Sequence, residues 1–515
     1  VMPADFPVHD PRTETIANVY RRYQDRLQRS NALDFGDLLL HTTRLFDEHP
    51  DILGRYRERL LHVLVDEYQD TNKVQYRLTN LLASGHRNLC VVGDDDQSIY
   101  RWRGAEVSNI LEFESDYPDA VVIRLEQNYR STQNILDAAG AVVARNERRK
   151  GKTLWTENPR GDRIRLVRLG DDLEEARYVI DELQILQRDG KRLRDIAVFY
   201  RANAQSRPFE EALARRRMPY AMVGGVKFFS RAEVKDVLAY LRVLDNPADS
   251  LSAKRIINVP ARGIGATTVE RIAALEDEAG GFLAACATSV ARGALRGAAA
   301  EKVGSFLRMI ESFQKLRDTL PLHEFASRII SDSGYGRMLS EDSSEQAQDR
   351  MQNLDEMVRG MEEYSASEQA LQDYLEHTAL VSDLDSYQAS DDRVTLMTMH
   401  SAKGLEFPIV FMTAMEEGLF PHSRAGSNEQ DIEEERRLCY VGMTRAMQRL
   451  YLTHAKRRRT FGTPKFNERS RFLDEIPIEL LDETDLARTS EPMWDSRPSP
   501  SPSPSQRPPI AARNQ

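Results

Sequence analysis

The sequence predicts an α/β fold built on parallel sheets, with a long helical stretch set into its second half. Three observations carry this. Short apolar runs at residues 60–65, 88–92, 121–125, 196–200, 394–399 and 408–413 end in polar loops, as the strands of a parallel sheet covered on both faces do. Between residues 230 and 388 such runs give way to apolar residues at helical spacing, beginning with Val234, Val237, Leu238, Leu241 and Leu244. Finally, the first apolar run stops at two adjacent carboxylates, Asp66 and Glu67, and open α/β sheets bind ligands beyond the carboxyl ends of their strands.

Composition narrows the class. A chain of 515 residues suggests about three or four domains at roughly 150 residues each. A charged fraction of 30% with a formal net charge of −10 excludes a uniformly basic nucleic-acid coat, so any contact with DNA must come from local patches. The three cysteines, Cys90, Cys286 and Cys439, have neither disulfide nor metal-ligand spacing and read as buried thiols in a reducing cytoplasm. No apolar run approaches the roughly 18 residues of a membrane span, and no signal-peptide core is present, so a soluble protein with no membrane partner is expected.

In chain order, residues 15–29 place Ile16, Val19, Tyr20, Tyr23 and Leu27 at helical spacing. Asp66 and Glu67 follow, at the end of a strand. A hard cation such as Mg²⁺ needs a carboxylate there, and a second carboxylate can orient or deprotonate the water that attacks a terminal phosphate. A search for Gly-x-x-x-x-Gly-Lys-Ser/Thr returns only Gly151-Lys152-Thr153, with Asn146 where the first glycine belongs and no strand before it, so this is not expected to hold phosphate. The loop at 93–105 ends in Tyr100, Arg101, Trp102 and Arg103. An aromatic face stacks on any base for about 1–3 kcal/mol while flanking guanidiniums contact phosphates, which suits single-stranded DNA.

Ser230-Arg231-Ala232-Glu233 has the form of a capping box that opens the helical stretch. Within it, Arg262-Gly263-Ile264-Gly265 precedes Thr267-Thr268-Val269-Glu270, a second such start. A glycine turn feeding a helix N-terminus offers free N–H groups to phosphate. After residue 473 the chain passes into a Ser/Pro-rich tail with too little apolar surface to fold, and that tail shows no nuclease-like cluster of acids and lysine.

Six strings then occur in order: Val-Asp-Glu-Tyr-Gln-Asp-Thr-Asn (65–72), Gly-Asp-Asp-Asp-Gln-Ser-Ile-Tyr-Arg-Trp-Arg-Gly-Ala (93–105), Leu-Glu-Gln-Asn-Tyr-Arg-Ser (125–131), Arg-Gly-Ile-Gly (262–265), Thr-Leu-Met-Thr-Met-His-Ser-Ala-Lys-Gly-Leu-Glu-Phe (395–407) and Glu-Glu-Glu-Arg-Arg-Leu-Cys-Tyr-Val-Gly-Met-Thr-Arg-Ala (433–446). Together they make residues 20–475 resemble the UvrD/PcrA-type superfamily 1 DNA helicases. The resemblance implies two RecA-like domains, with a helical subdomain inserted in the second, around an ATP and Mg²⁺ cleft. Residues 1–59 would be the remnant of a helical insertion returning to the first domain, and 60–127 the rest of that domain. Residues 128–229 and 389–476 would form the second domain, 230–388 the insert, and 477–515 a disordered tail. It further implies an ATP-dependent 3′-to-5′ helicase of DNA repair or replication, acting on single-stranded and duplex DNA, with repair or replication proteins as partners.

By the same resemblance Asp66 and Glu67 hold the metal, Glu67 activates water, Gln97 reaches the terminal phosphate, and Arg130 and Arg445 reach it from across the cleft. Tyr129 would stack on adenine, with Glu406 at the ribose and Gly404 beside the nucleotide. Tyr100, Trp102, Arg103 and His400 would face single-stranded DNA, and Gly263, Ile264 and Gly265 the duplex. Lys403 would lie between the two sites. The family's glycine-rich phosphate loop should lie well upstream, so the sequence is expected to be N-terminally truncated and inactive alone. A non-enzymatic DNA-binding remnant is the rival reading, and a helicase–nuclease subunit of the RecB or AddA kind a third.

Overall fold

The computed structural model describes residues 6–29, 31–224, 227–342, 344–364, 367, 369–386, 392–426, 428–460 and 463–487. The strands in chain order are β1 (Val63–Val65), β2 (Leu89–Val91), β3 (Ile164–Asp171), β4 (Ile196–Tyr200), β5 (Tyr220–Val223), β6 (Val394–Thr398), β7 (Phe407–Met412), β8 (Ala446–Thr460), β9 (Thr463–Phe466) and β10 (Leu481–Asp485). The fold is α/β with parallel sheets, as expected. β1 and β2 pair in parallel, and a larger sheet runs β10-β3-β8-β7-β4-β6-β5 with every neighbouring pair parallel, while β9 adds antiparallel to β8.

The large sheet is covered on both faces, and strand alternation sorts its residues between them. Ala197 and Phe199 of β4 join Val410 and Met412 of β7 in a core capped by the helices Gln133–Val143 and Glu429–Met443. Ile196, Val198 and Tyr200 point the other way, to a core with Val179, Leu183 and Phe209 from the helices Asp172–Arg188 and Arg207–Arg215. Between β5 and β6 the described residues form helices joined by turns, with no strand, and have their own core, centred on Tyr240, Phe282, Phe306, Phe313 and Phe325.

A chain of buried ions ties this helical layer to the sheet. Arg458 of β8 pairs with Glu175 and, at 2.7 Å, with Glu416; Arg359 meets Asp172 and Glu356 at 2.5 Å each; Arg207 meets Glu356 at 3.0 Å and Glu211 at 2.7 Å. Each of these cations, removed singly, would leave buried carboxylates uncompensated.

Several expectations are corrected. Residues 121–125 form no strand: Val121, Ile123 and Leu125 are exposed, because no neighbouring strand is there to pair with or cover them among the described residues. β1, though paired with β2, is not covered on both faces: Leu64 lies 76% exposed. Cys90, on β2, is exposed rather than buried. The helix Pro11–Arg29 forms, yet Ile16, Val19 and Tyr23 of its apolar stripe are exposed and only Ala17 is buried.

The expected capping box at 230–233 is not made. Arg231 occupies the cap of the helix Ala232–Asp245 without a side-chain bond, and Glu233 instead accepts from Asn353 at 2.6 Å. Residues 477–487, expected to open a disordered tail, are instead ordered, with β10 paired to β3; the rest of that expected tail, 488–515, lies outside the described residues. No helix of the described residues is long and apolar enough to cross a membrane.

His454 of β8 is buried with no hydrogen-bond partner at either ring nitrogen. Burial, against the opposing pull of Glu416, pushes its pKa down to about 4. An unfolded histidine titrates near ~6.5, so between these values the unfolded state binds the extra proton and stability falls as pH falls. Acidification from pH 6.5 to 4.5 should cost about 2–3 kcal/mol from this residue, by roughly 1.4 kcal/mol per unit. His454→Gln should make the acid-side loss in denaturant unfolding shallower by about that amount; parallel pH curves for both proteins would exclude the assignment.

Candidate functional site

The site begins where β1 ends. Val65 is followed by Asp66 and then Glu67, which adopts a left-handed backbone (φ 49°) and so turns the chain sharply into the short helix Tyr68–Asp70. The Asp66 Oδ1 accepts the Glu67 N–H at 2.8 Å, and no side chain pairs with this carboxylate among the described residues. Glu67 is engaged differently: its Oε2 accepts from Gln69 at 2.6 Å and lies 3.1 Å from the Lys403 ammonium. Lys403 comes from the loop between β6 and β7. It also pairs with Asp70 and donates to the Gln97 carbonyl at 2.8 Å. Burial raises the Asp70 pKa, and Lys403 opposes that rise.

After β2, Asp94 begins a short helix that places Gln97, whose Nε2 donates to Asp94 Oδ2 at 2.7 Å. A second short turn, Arg101–Arg103, closes on Gly104 and presents an aromatic and basic platform. Trp102 is 58% exposed, and the Arg103 guanidinium lies 4.6 Å from its ring centroid and 5.2 Å from that of Tyr100. Tyr100 lies across the Lys403 ammonium at 5.4 Å and donates to the His400 carbonyl at 3.4 Å. The His400 pKa is pushed down to about 3 by burial and by the neighbouring Arg201 and Arg103, so its ring is neutral. Arg101 does not join the platform: it is held by Asp431 at 2.7 Å and Gln430 at 3.1 Å.

On the facing side, Arg130 and Glu406 pair at 2.6 Å and both are partly exposed. Tyr129 is 78% exposed, its hydroxyl on Gln127 at 2.9 Å. Arg445 follows the helix Glu429–Met443 and is buried against backbone, donating to Val441 O at 3.1 Å; burial first, then the nearby Arg130, pull its pKa down to about 10, while Glu67 and Asp94 work the other way. Gly404 has φ +84°, a conformation side chains disfavour, and it turns the chain from Lys403 toward Glu406. Of the last motif's other arginines, Arg436 forks onto Glu475 at 2.8–3.2 Å and Arg437 pairs with Glu433 at 3.5 Å.

The structure thus gathers Asp66, Glu67, Gln97, Lys403, Arg130, Glu406 and Arg445 around one region, with Tyr100, Trp102, Arg103 and His400 adjoining it. The glycine turn at 262–265 lies apart, in the helical layer. Gly263 (φ +68°) and Gly265 lead into the helix Ala266–Ala273, but the Ile264 side chain is 2% exposed and packs in the helical core rather than facing outward. Its N–H is also taken, by Asn258 Oδ1 at 3.1 Å. Sequence reading missed Asp70 and Asp94, whose signal was present as further acids within the same two motifs.

For a divalent cation, the donor set fits a water-rich Mg²⁺ site. One unpaired carboxylate, Asp66, stands at a strand end, and no group of three or more candidate ligands occurs among the described residues, so substrate oxygens would complete the shell.

The UvrD/REP helicase N-terminal domain matches residues 4–118, and the UvrD-like helicase C-terminal domain matches residues 123–289 and 295–457. An ATP-dependent DNA helicase PcrA from Staphylococcus aureus (strain Mu50 / ATCC 700699) is 47% identical over 481 residues, covering 92% of this chain and 66% of that protein. The same-named protein of Staphylococcus epidermidis (strain ATCC 12228 / FDA PCI 1200) is 47% identical over 487 residues, 93% of this chain and 66% of its own length. The chain therefore spans just under two thirds of the curated relatives it matches. Two domain matches across most of the chain, with near-half identity over more than nine tenths of it, show that it belongs to the UvrD/PcrA-type helicase family.

Proposed function

We propose that this chain forms part of an ATP-driven DNA helicase that moves 3′ to 5′ along single-stranded DNA in repair or replication. One observation carries the reading: a single ammonium, Lys403, touches Glu67 of the hydrolytic region and the Gln97 carbonyl, and lies against Tyr100 of the aromatic platform. A shift in any one of these is felt by the others.

In this reading ATP enters between the Glu67 side and the Arg130 side. Glu67 orients and deprotonates the attacking water, and Gln97 contacts the terminal phosphate. Asp66 would hold Mg²⁺, which when bound neutralises phosphate charge. The Arg130–Glu406 pair is exposed enough to be worth only about 0–1 kcal/mol, so nucleotide can exchange it cheaply for phosphate on Arg130 and ribose on Glu406. Arg445, buried and still charged at neutral pH, would contact the terminal phosphate. Tyr129 offers its exposed ring to adenine. Closure around ATP then moves Lys403 and Tyr100 together, and Trp102 and Arg103 advance along the strand. Gly263 and Gly265 would serve the duplex through backbone alone.

Glu67→Gln in the full-length protein should lower DNA-stimulated ATP hydrolysis by about 10²-fold or more and leave nucleotide affinity within a few-fold, since it removes the base and spares Asp66. Equal loss of affinity and turnover, measured by nucleotide titration and single-turnover hydrolysis, would show the roles to be misassigned. Trp102→Ala should weaken single-stranded DNA binding by about 5- to 150-fold, the equivalent of roughly 1–3 kcal/mol of stacking, while basal hydrolysis persists. Because Trp102 is exposed, its melting temperature should hold; a large drop in melting with parallel loss of every activity would make it a packing residue instead.

A further inference from the structure

The string Gly151-Lys152-Thr153 has the ending of a phosphate loop without its beginning, and the structure gives it different work. Its segment lies against the loop that carries Gln97. Arg149 forks onto Asp96, Nε to Oδ1 at 3.0 Å and Nη2 to Oδ2 at 2.7 Å, and the Lys150 N–H donates to Asp95 at 3.0 Å. Lys152 reaches furthest in. Its ammonium pairs with Asp94, lies 3.4 Å from Asp96 and stands 5.4 Å from the centroid of the Tyr440 ring. The side chain is only 19% exposed, so this charge depends on those partners.

Asp94 is the shared element. While Oδ1 takes Lys152 and the Asp96 N–H, Oδ2 accepts the Gln97 carboxamide at 2.7 Å. A glutamine side chain has three rotatable bonds, and its direction here is set by Asp94, whose own direction is set by the lysine. Tyr440, on the other side of the ammonium, belongs to the helix Glu429–Met443 that ends just before Arg445, and its carbonyl accepts the Thr444 N–H at 3.0 Å.

We propose that Lys152 is a positioning residue: through Asp94 it aims the Gln97 carboxamide, and through Tyr440 it keeps that carboxamide in register with the helix that delivers Arg445. This rests on Gln97 contacting the terminal phosphate as proposed above. Lys152 itself touches no substrate. Its loss should therefore slow the chemical step and leave the binding of nucleotide and DNA in place.

The experiment compares Lys152→Met, Lys152→Arg, Gln97→Ala and the Lys152→Met/Gln97→Ala double variant in the full-length protein, reading kcat and KM for ATP with saturating single-stranded DNA, and melting temperature. Lys152→Met should lower kcat about tenfold or more with KM within about threefold, Lys152→Arg should recover most of it, and the double variant should be no slower than Gln97→Ala alone, because both changes break one relay. Asp94→Asn, which keeps the size and one acceptor oxygen but loses the ion pair, should repeat the kcat loss and decides the matter if Lys152→Met is too unstable to assay. Loss in Gln97→Ala with unchanged turnover in Lys152→Met, or multiplicative losses in the double variant, would overturn the assignment of Lys152 alone. Unchanged turnover in Gln97→Ala would overturn the role of Gln97 and the relay with it.

Discussion

The arrangement at the site depends on one buried charge. Lys403 is 7% exposed, and an ammonium withdrawn from water costs several kcal/mol unless anionic and carbonyl partners surround it. Those partners come from the turn after β1 (Glu67 and Asp70) and the turn after β2 (the Gln97 carbonyl), whereas the lysine itself follows β6. The need to satisfy this one group therefore holds the carboxyl end of the small sheet against the carboxyl end of the large one. The Tyr100 ring beside it carries the constraint to the aromatic platform, and the sharp backbone at Gly404 carries it to Glu406 and Arg130.

The same principle recurs away from the site. Arg458, Arg359 and Arg207 sit in sequence through the body of the protein, each between carboxylates of different elements, so buried ions help join the helical layer to the sheet. Buried ion pairs give little net stability but penalise misplacement heavily, because a shifted element strands a charge.

The groups of the site differ in how tightly they are held. Lys403, Arg445 and Lys152 are enclosed and multiply bonded, while Arg130, Glu406, Tyr129 and Trp102 stand partly or largely in solvent. The enclosed cations form a fixed electrostatic frame. The exposed groups are those whose partners can be exchanged for a ligand at small cost.

The sequence by itself determined the α/β class, the strands β4, β6 and β7, the helical stretch between β5 and β6, and the turns after β1, β2 and β6 that carry Asp66, Gln97 and Lys403. These are local properties: apolar runs, helical periodicity and acids placed directly after strands. It did not reveal β8, because Arg449, Lys456, Arg457 and Arg458 interrupt its apolar pattern, and only the carboxylates of Glu175 and Glu416, distant in sequence, make a buried arginine tolerable there. β10 looked like the start of a polar tail for a similar reason: its Leu-Asp-Glu-Thr-Asp gains strand character only from pairing with β3. Conversely, residues 121–125 have every local mark of a strand and form none, since a strand needs a neighbour and the described residues offer it none. Ile264 was placed at the DNA by its motif and in the core by its packing. Tertiary structure alone decided which charges meet, and so it alone showed that Lys152 belongs to Asp94 and Lys403 to Glu67, Asp70 and Gln97, because an ion's burial is affordable only where folding brings its partners.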